Sequence, residues 1–455
     1  MKTASFAAAV CAAALAALST VAPADDDDRG RLPQNATFTT RAITPFAIEG
    51  LTGDDAGNRY TTGRQPNTAK NCPVWRFRPN DAGVPDGTRV TVGFIPNNPA
   101  CNPSGITFDN FGNLYIADAA RGGVVWRVTP DPKGCASDDS DVCGSSVPLA
   151  AAYATGVPGT NGLAFDRDGN LFTGDGTTGD GRVWKIAAGG GTCESSTPPS
   201  FVGCVEIFRI QAMANVVVVN NTSTVVNVGR DARSLPPGTI ANPARTATPQ
   251  LTSPPCPAGG APCVLGSQPL VANGLAFTRD GDLYVADTAR GAVWKVEFDR
   301  RGNLKSRTGC DTTFPPNTLC LENVFVAHPS LEGTDGIALD RGGNIWNAAN
   351  ERNAIVVVTR NRDVIEIFRN PVVAGLRNSA DALPTAEANR HILEFPTSPF
   401  LSGKRFCVSQ SDGDRRDNSP RAAGEVDAGG AVGRRGKISC MDQDLAIPGL
   451  PLPVH

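Results

Sequence analysis

Apolar residues along this chain come in short runs separated by glycine-bearing turns, and one arrangement of them returns. The segments SGITFDNFGNLYIAD, NGLAFDRDGNLFTGD, NGLAFTRDGDLYVAD and DGIALDRGGNIWNAA each read as a strand, a tight turn and a second strand. Each opens with a polar residue directly before a glycine: Ser104-Gly105, Asn161-Gly162, Asn273-Gly274 and Asp335-Gly336, with Glu49-Gly50 as a fifth such step. Tryptophan-bearing runs follow at Val74-Trp75-Arg76, Val125-Trp126-Arg127, Val183-Trp184-Lys185 and Val293-Trp294-Lys295, which predict a third strand. A run such as Cys204 to Ile210 supplies a fourth. Four antiparallel strands per repeat of roughly 50–60 residues predict a β-propeller.

The polar–glycine steps from Glu49 to Asn161 fall 55 and then 57 residues apart, and Asp335 follows Asn273 by 62. Between Asn161 and Asn273 the interval is 112, about twice one repeat. Residues 211–262 hold VVVVNNTSTVVNV and a Pro/Thr/Ala-rich stretch but neither a polar–glycine strand nor a Trp strand, so they read as an insertion, a hairpin plus loop. A sixth unit starts near Thr397-Ser398 in degraded form and lacks an outer strand at the C-terminus. The segment Ala36 to Phe46 can supply it. The expectation is an all-β, six-bladed propeller over residues 35–455, with four-stranded blades and a ring closed by the N-terminal strand.

Composition narrows the picture. A formal net charge of −3 offers no basic surface for nucleic acid, and 49 Gly with 36 Pro suits short strands and many turns. Residues 1–24 read as a secretory signal: Lys2, an apolar stretch from Phe6 to Leu18, and Ala22-Pro23-Ala24 as a cleavage site. That stretch is shorter than the roughly 20 residues of a membrane span. Residues 25–34, opening with Asp25 to Asp28, are expected to be a disordered acidic N-terminus, and the location secreted or periplasmic. Removing Cys11 leaves 12 cysteines, whose positions suggest the pairs Cys72/Cys101, Cys135/Cys143, Cys193/Cys204, Cys256/Cys263, Cys310/Cys320 and Cys407/Cys440. No CxxC spacing favours zinc. These bridges are expected to staple the outer hairpins.

In a propeller the inner strands start at one mouth of the central channel, so their first residues converge. Glu49, Asn161, Asn273 and Asp335 would bring two carboxylates and two amide oxygens to one point, a donor set suited to Ca2+ or another divalent cation. Asn-Gly and Asp-Gly are also favoured turn dipeptides, which is the competing reading for each taken alone. At this point the residues resemble a family, the regucalcin–gluconolactonase group (SMP-30/gluconolactonase/LRE), with diisopropyl-fluorophosphatase and paraoxonase as wider kin. The resemblance implies that the channel cation is held by Glu from the first blade, Asn from the third and fourth, and Asp from the fifth, which are Glu49, Asn161, Asn273 and Asp335. The ending ISCMDQDLAIPGLPLPV is similar to the family's terminal strand and tail. Gly159 stands where relatives acting on sugar lactones carry an arginine, which counts against an aldonolactone substrate.

The function expected from this resemblance is calcium-dependent hydrolysis of a lactone or ester, with Asp335 as the catalytic base. A small-molecule substrate is the expected partner. The rival class is a non-catalytic, calcium-bound propeller acting as a binding module. Ser104, Asp175, Asp287 and His328 are secondary candidates for substrate contact. Against them, Asp118, Asp175 and Asp287 at the ends of second strands are expected to cap the following loops, and His328 to be a surface loop residue. FDRDGN imitates the start of an EF-hand loop, but no Glu at the required distance follows, so it is read as a hairpin turn. Residues 211–262 and Pro371 to Asn389 are expected to emerge on the cation face and to act as lids.

Overall fold

The structure, a computed structural model, describes residues 31–211, 215–219, 222–226, 263–265, 272–369, 392–411 and 436–451, apart from short gaps at 34, 68, 79–88, 98–99, 177–179, 194–202, 220–221, 289, 313, 332, 351–352 and 394. The expected signal, residues 25–30 of the expected acidic segment, Cys256, and Pro371 to Asn389 lie outside the described residues, whereas Leu32 is described and buried in the core.

Six four-stranded antiparallel blades follow one another along the chain. Blade 1 runs Thr52–Gly53, Arg59–Thr62, Cys72–Phe77 and Val90–Ile95 from the inside outward. Blade 2 is Pro103–Phe108, Leu114–Asp118, Val124–Val128 and Ala151–Thr155, extended by the short parallel strand Gly191–Thr192. Blade 3 is Thr160–Phe165, Leu171–Asp175, Arg182–Ile186 and Cys204–Arg209, and blade 4 is Leu275–Phe277, Leu283–Asp287, Ala292–Val296 and Val324–Ala327. Blade 5 comprises Thr334–Leu339, Ile345–Ala349, Ala354–Val358 and Val364–Arg369. Blade 6 is Pro396–Ser402, Arg405–Gln410 and Lys437–Met441, completed on its outer edge by Phe38–Ile43. Thr39 lies opposite Cys440 across that last pairing, so the N-terminal strand closes the ring.

The inner hairpins form where the sequence provides their turn chemistry. Asp166 accepts hydrogen bonds from the backbone N–H groups of Asp168 and Asn170 at 2.9 and 2.8 Å, and from the Asn170 side chain at 2.8 Å. Asp109 with Asn113 and Asp340 with Asn344 repeat the arrangement. The carboxylate of FDRDGN is thus spent on a hairpin turn, an Asx-type solution to the backbone donors of a tight loop. Trp75, Trp184, Trp294 and Trp346 are fully buried between blades and provide much of the apolar area that holds neighbouring sheets together.

Ring order is read from the glycines of the polar–glycine steps. A Cβ added at Gly105 would lie 2.1 Å from the Asn161 carbonyl oxygen, one at Gly162 would lie 2.1 Å from that of Asn273, and one at Gly274 would lie 2.5 Å from that of Asp335. Each step is pressed against the next, and the contact between Gly162 and Asn273 leaves no room for a blade between the third and fourth. The chain between them instead forms a separate three-stranded sheet, Asn215–Val219, Thr222–Val226 and Cys263–Leu265. Of the expected insertion 211–262, the described residues Asn215–Val219 and Thr222–Val226 pair as a hairpin, and Cys263–Leu265 beyond it adds a third strand.

Five of the expected disulfides lie within the described residues. Cys135–Cys143, Cys193–Cys204 and Cys310–Cys320 lie in the connections between third and fourth strands, as expected of staples on outer hairpins. Cys72–Cys101 instead links blade 1 to the entry of blade 2, and Cys407–Cys440 ties the second strand of blade 6 to its third.

Candidate functional site

Two rings of residues meet at the channel mouth. The first consists of the residues before each inner glycine or its equivalent: Glu49, Ser104, Asn161, Asn273, Asp335 and Thr397. Strand pairing places a second residue of each blade beside them, the one just after the ladder of the second strand. Thr160 lies opposite Asp175 and Thr334 opposite Ala349, so Gly176 and Asn350 stand next to Asn161 and Asp335. The same register gives Arg64, Ala119, Thr288 and Ser411 in the other blades.

The side chains bear this out. The Asn350 amide donates to the Asp335 carboxylate at 2.9 Å, and the Asn273 amide donates to the Thr288 hydroxyl at 3.1 Å. Thr288 passes its own proton to the Thr334 carbonyl at 2.7 Å, which ties blade 4 to blade 5. Asn161 packs over Gly176, where an added Cβ would lie 2.8 Å from its own. Ser104 donates to the Thr160 carbonyl at 3.2 Å. The Glu49 carbonyl accepts from Thr397 at 2.7 Å and from Ser409, which joins blade 6 to blade 1.

Asp335 is 4% exposed, and burial pushes its carboxyl up to about 7. Hydrogen bonds from Asn350 and Asn273 and the charge of Arg64 pull the other way without cancelling the cost of burial. Glu49 forms an ion pair with Arg64, whose Nε also donates to the Pro103 carbonyl at 3.2 Å. Arg64, Thr288 and Asn350 were not singled out by sequence reasoning. Only strand register brings them to the mouth, and the signal for it was their place one or two residues after the second strand.

The residues fit a hard divalent cation. Among the described residues no three His, Cys, Asp or Glu side chains form a cluster, so a cation here must draw on amide oxygens as well as carboxylates. Glu49, Asn161, Asn273 and Asp335 are that mixture, and Asp335 is a buried carboxylate whose surroundings do not supply a full counter-charge.

The secondary candidates resolve differently. Asp118 accepts from the Asn102 and Ala120 backbone N–H groups and from the Trp126 indole. Asp287 accepts from the Trp294 indole at 3.1 Å and pairs with Arg290 at 3.0 Å, both side chains being fully buried. Asp175 pairs with Arg182 at 3.1 Å. Asp118 and Asp287 thus cap loops and fix tryptophans, the structural role expected of them, whereas Asp175 is held in its ion pair with Arg182. His328 accepts from the Ser330 N–H at 3.1 Å and so starts the short 3-10 turn Pro329–Leu331. Gly159 has a φ of 66° and accepts from the Gly176 N–H, so this position contributes backbone alone.

Below the mouth lies a cavity of about 90 Å³ lined by the inner strands, with Leu450 at its wall. A second, of about 170 Å³, sits between the turns of blades 3 and 4 over Phe172, Phe277 and Phe298. Its Asp166 and Asp299 are committed to their own turns.

A family model matches part of the chain. Residues 261–387 match the model of the SMP-30/Gluconolactonase/LRE-like region. That match spans blade 4 and the described strands of blade 5, and with them Asn273 and Asp335. No curated protein matches the chain. Among solved structures, the chain is similar to the PQQ-bound aldose sugar dehydrogenase of Streptomyces coelicolor at 13% identity, covering 90% of this chain and 99% of that one with a TM-score of 0.47. It is similar to the calcium-binding protein regucalcin of Agrobacterium tumefaciens at 15%, covering 90% and 95% with a TM-score of 0.46. A gluconolactonase of Xanthomonas campestris gives 12%, 93% of each chain and a TM-score of 0.45.

Proposed function

We propose that the protein is a lactonase-like hydrolase that uses a divalent cation, calcium by preference, at the channel mouth and acts on a lactone or ester. The observation that carries this reading is the carboxylate of Asp335. It is buried and held in place by the Asn350 amide at 2.9 Å, within a set of oxygen donors suited to a divalent cation. The match of residues 261–387 to a gluconolactonase-like region supports it.

Glu49, Asn161, Asn273 and Asp335 would hold the cation. When bound, the cation supplies Lewis-acid polarisation of the carbonyl oxygen. Asp335 accepts a proton from the water that attacks the carbonyl carbon, and returns it to the alkoxide as the ring or ester C–O bond breaks. The products are a hydroxy acid, or an acid and an alcohol. Asn350 keeps the carboxylate aimed, and the buried surroundings exclude competing water.

The test is turnover of a panel of aliphatic lactones and aryl esters, with calcium and with chelator. The expected result is calcium-dependent hydrolysis that disappears in Asp335→Ala while the fold persists. Calcium binding with no turnover across the panel would favour a binding module instead, and full turnover by Asp335→Ala would exclude this site.

A further inference from the structure

The second ring of the channel mouth contains one charged residue among neutral ones. Directly after the second strand the other blades carry Ala119, Gly176, Thr288, Asn350 and Ser411, and blade 1 carries Arg64 two residues past its second strand. Its backbone N–H is fixed to the Ala47 carbonyl at 2.9 Å, its Nε to the Pro103 carbonyl at 3.2 Å, and its Nη2 pairs with Glu49. The same guanidinium acts electrostatically on Asp335. One internal cation therefore serves the two carboxylates that the proposed metal would need.

We infer that Arg64 is a built-in competitor of the divalent cation: metal enters by taking Glu49 from Arg64, and the released guanidinium becomes an anion-binding group beside the loaded site. The inference rests on the cation-binding reading given above.

The physical reason is charge bookkeeping at short range. Glu49 is 13% exposed and Arg64 30%, so their pair is partly desolvated. A divalent cation and a guanidinium that both approached Glu49 would repel each other strongly in such surroundings. The two states are thus exclusive at the Glu49 carboxylate. The Arg64 side chain donates to the Pro103 carbonyl and is nearly a third exposed, so release from Glu49 would turn its guanidinium toward solvent. In the loaded state it would face a carboxylate or other anionic group on an incoming molecule, a geometry in which its planar donors are effective.

The test is calorimetric titration of the purified, chelator-treated protein with calcium chloride, comparing wild type with Arg64→Gln. Removing the competitor should tighten calcium binding by up to roughly fivefold, since a modest ion pair must be broken in wild type. Equal affinities for the two proteins would overturn the inference while leaving the cation site intact. Heat-silent titrations of both proteins, with no thermal shift on adding calcium, would instead sink the cation site itself. Wild type supplies a second readout that needs no variant. A crystal structure grown with calcium should show Arg64 withdrawn from Glu49, and an intact Arg64–Glu49 pair beside a bound ion would overturn the exchange.

Discussion

Asn161 and Asn273 stand 112 positions apart in the chain and side by side at the channel, with the Asn273 carbonyl oxygen 2.1 Å from where a Cβ on Gly162 would be. Inner strands approach this closely only because the intervening residue has no side chain. Gly162→Ala should therefore force the third and fourth blades apart. A loss of about 2 kcal/mol or more is expected, of the size seen for overpacked sites. Chemical denaturation would measure it, and an unchanged midpoint would show that the blades can shift at no cost.

Asp335 sets the pH response of the metal-free protein. Its carboxyl titrates at 3.8 ordinarily and is raised by burial to about 7 in the fold, so the folded state binds this proton more tightly than the unfolded chain does. The contribution is full below about pH 4 and is lost as pH rises through 7. In chelator, the melting temperature should therefore fall between about pH 4 and about pH 7, and Asp335→Asn should flatten that slope. Calcium favours the carboxylate form and should offset the fall. A wild-type slope that Asp335→Asn leaves unaltered would assign the effect to other groups.

Burying Arg290 and Asp287 together makes their pair sensitive to removal of one member. Both side chains are fully buried at 3.0 Å, Arg290 also donates to the Gln211 carbonyl at 2.7 Å, and Trp294 donates to the same carboxylate. Asp287→Ala strands a buried guanidinium and should cost about 3–5 kcal/mol. Replacing both with apolar residues should cost much less than the sum. Urea unfolding of the two variants would show it, and additive losses would mean that the pair acts as two independent groups.

The Cys407–Cys440 bridge spans 33 residues in the blade where the chain termini meet. Closing a loop of that length in the unfolded chain is worth about 3–4 kcal/mol. Cys407→Ala with Cys440→Ala should lower the thermal midpoint more than the same change at Cys135 and Cys143, whose separation is 8. Comparable losses at the two bridges would point to strain or packing instead of chain entropy.

Much of the ring was legible because each repeat carries its own local signals. Asp109 with Asn113 and Asp166 with Asn170 announce a tight turn, and the apolar runs on either side announce strands. Glu49, Ser104, Asn161, Asn273 and Asp335 could be aligned because each precedes a glycine. Arg64 could not, because nothing near it in the chain resembles its counterparts. Its importance comes from lying two residues past the second strand of blade 1, against a carboxylate fifteen residues earlier.

The sequence alone determined the strand repeat, the number of polar–glycine steps, the pairing of the described cysteines and the donation of the outer strand by the N-terminus. These follow from local turn chemistry and from apolar periodicity, which act over a few residues. Tertiary structure decided which neutral or charged residues face one another across the mouth: Asn350 on Asp335, Thr288 on Asn273, and Arg64 on Glu49. Those encounters depend on the register between strands and on the close packing of one blade against the next, which no stretch of chain specifies by itself.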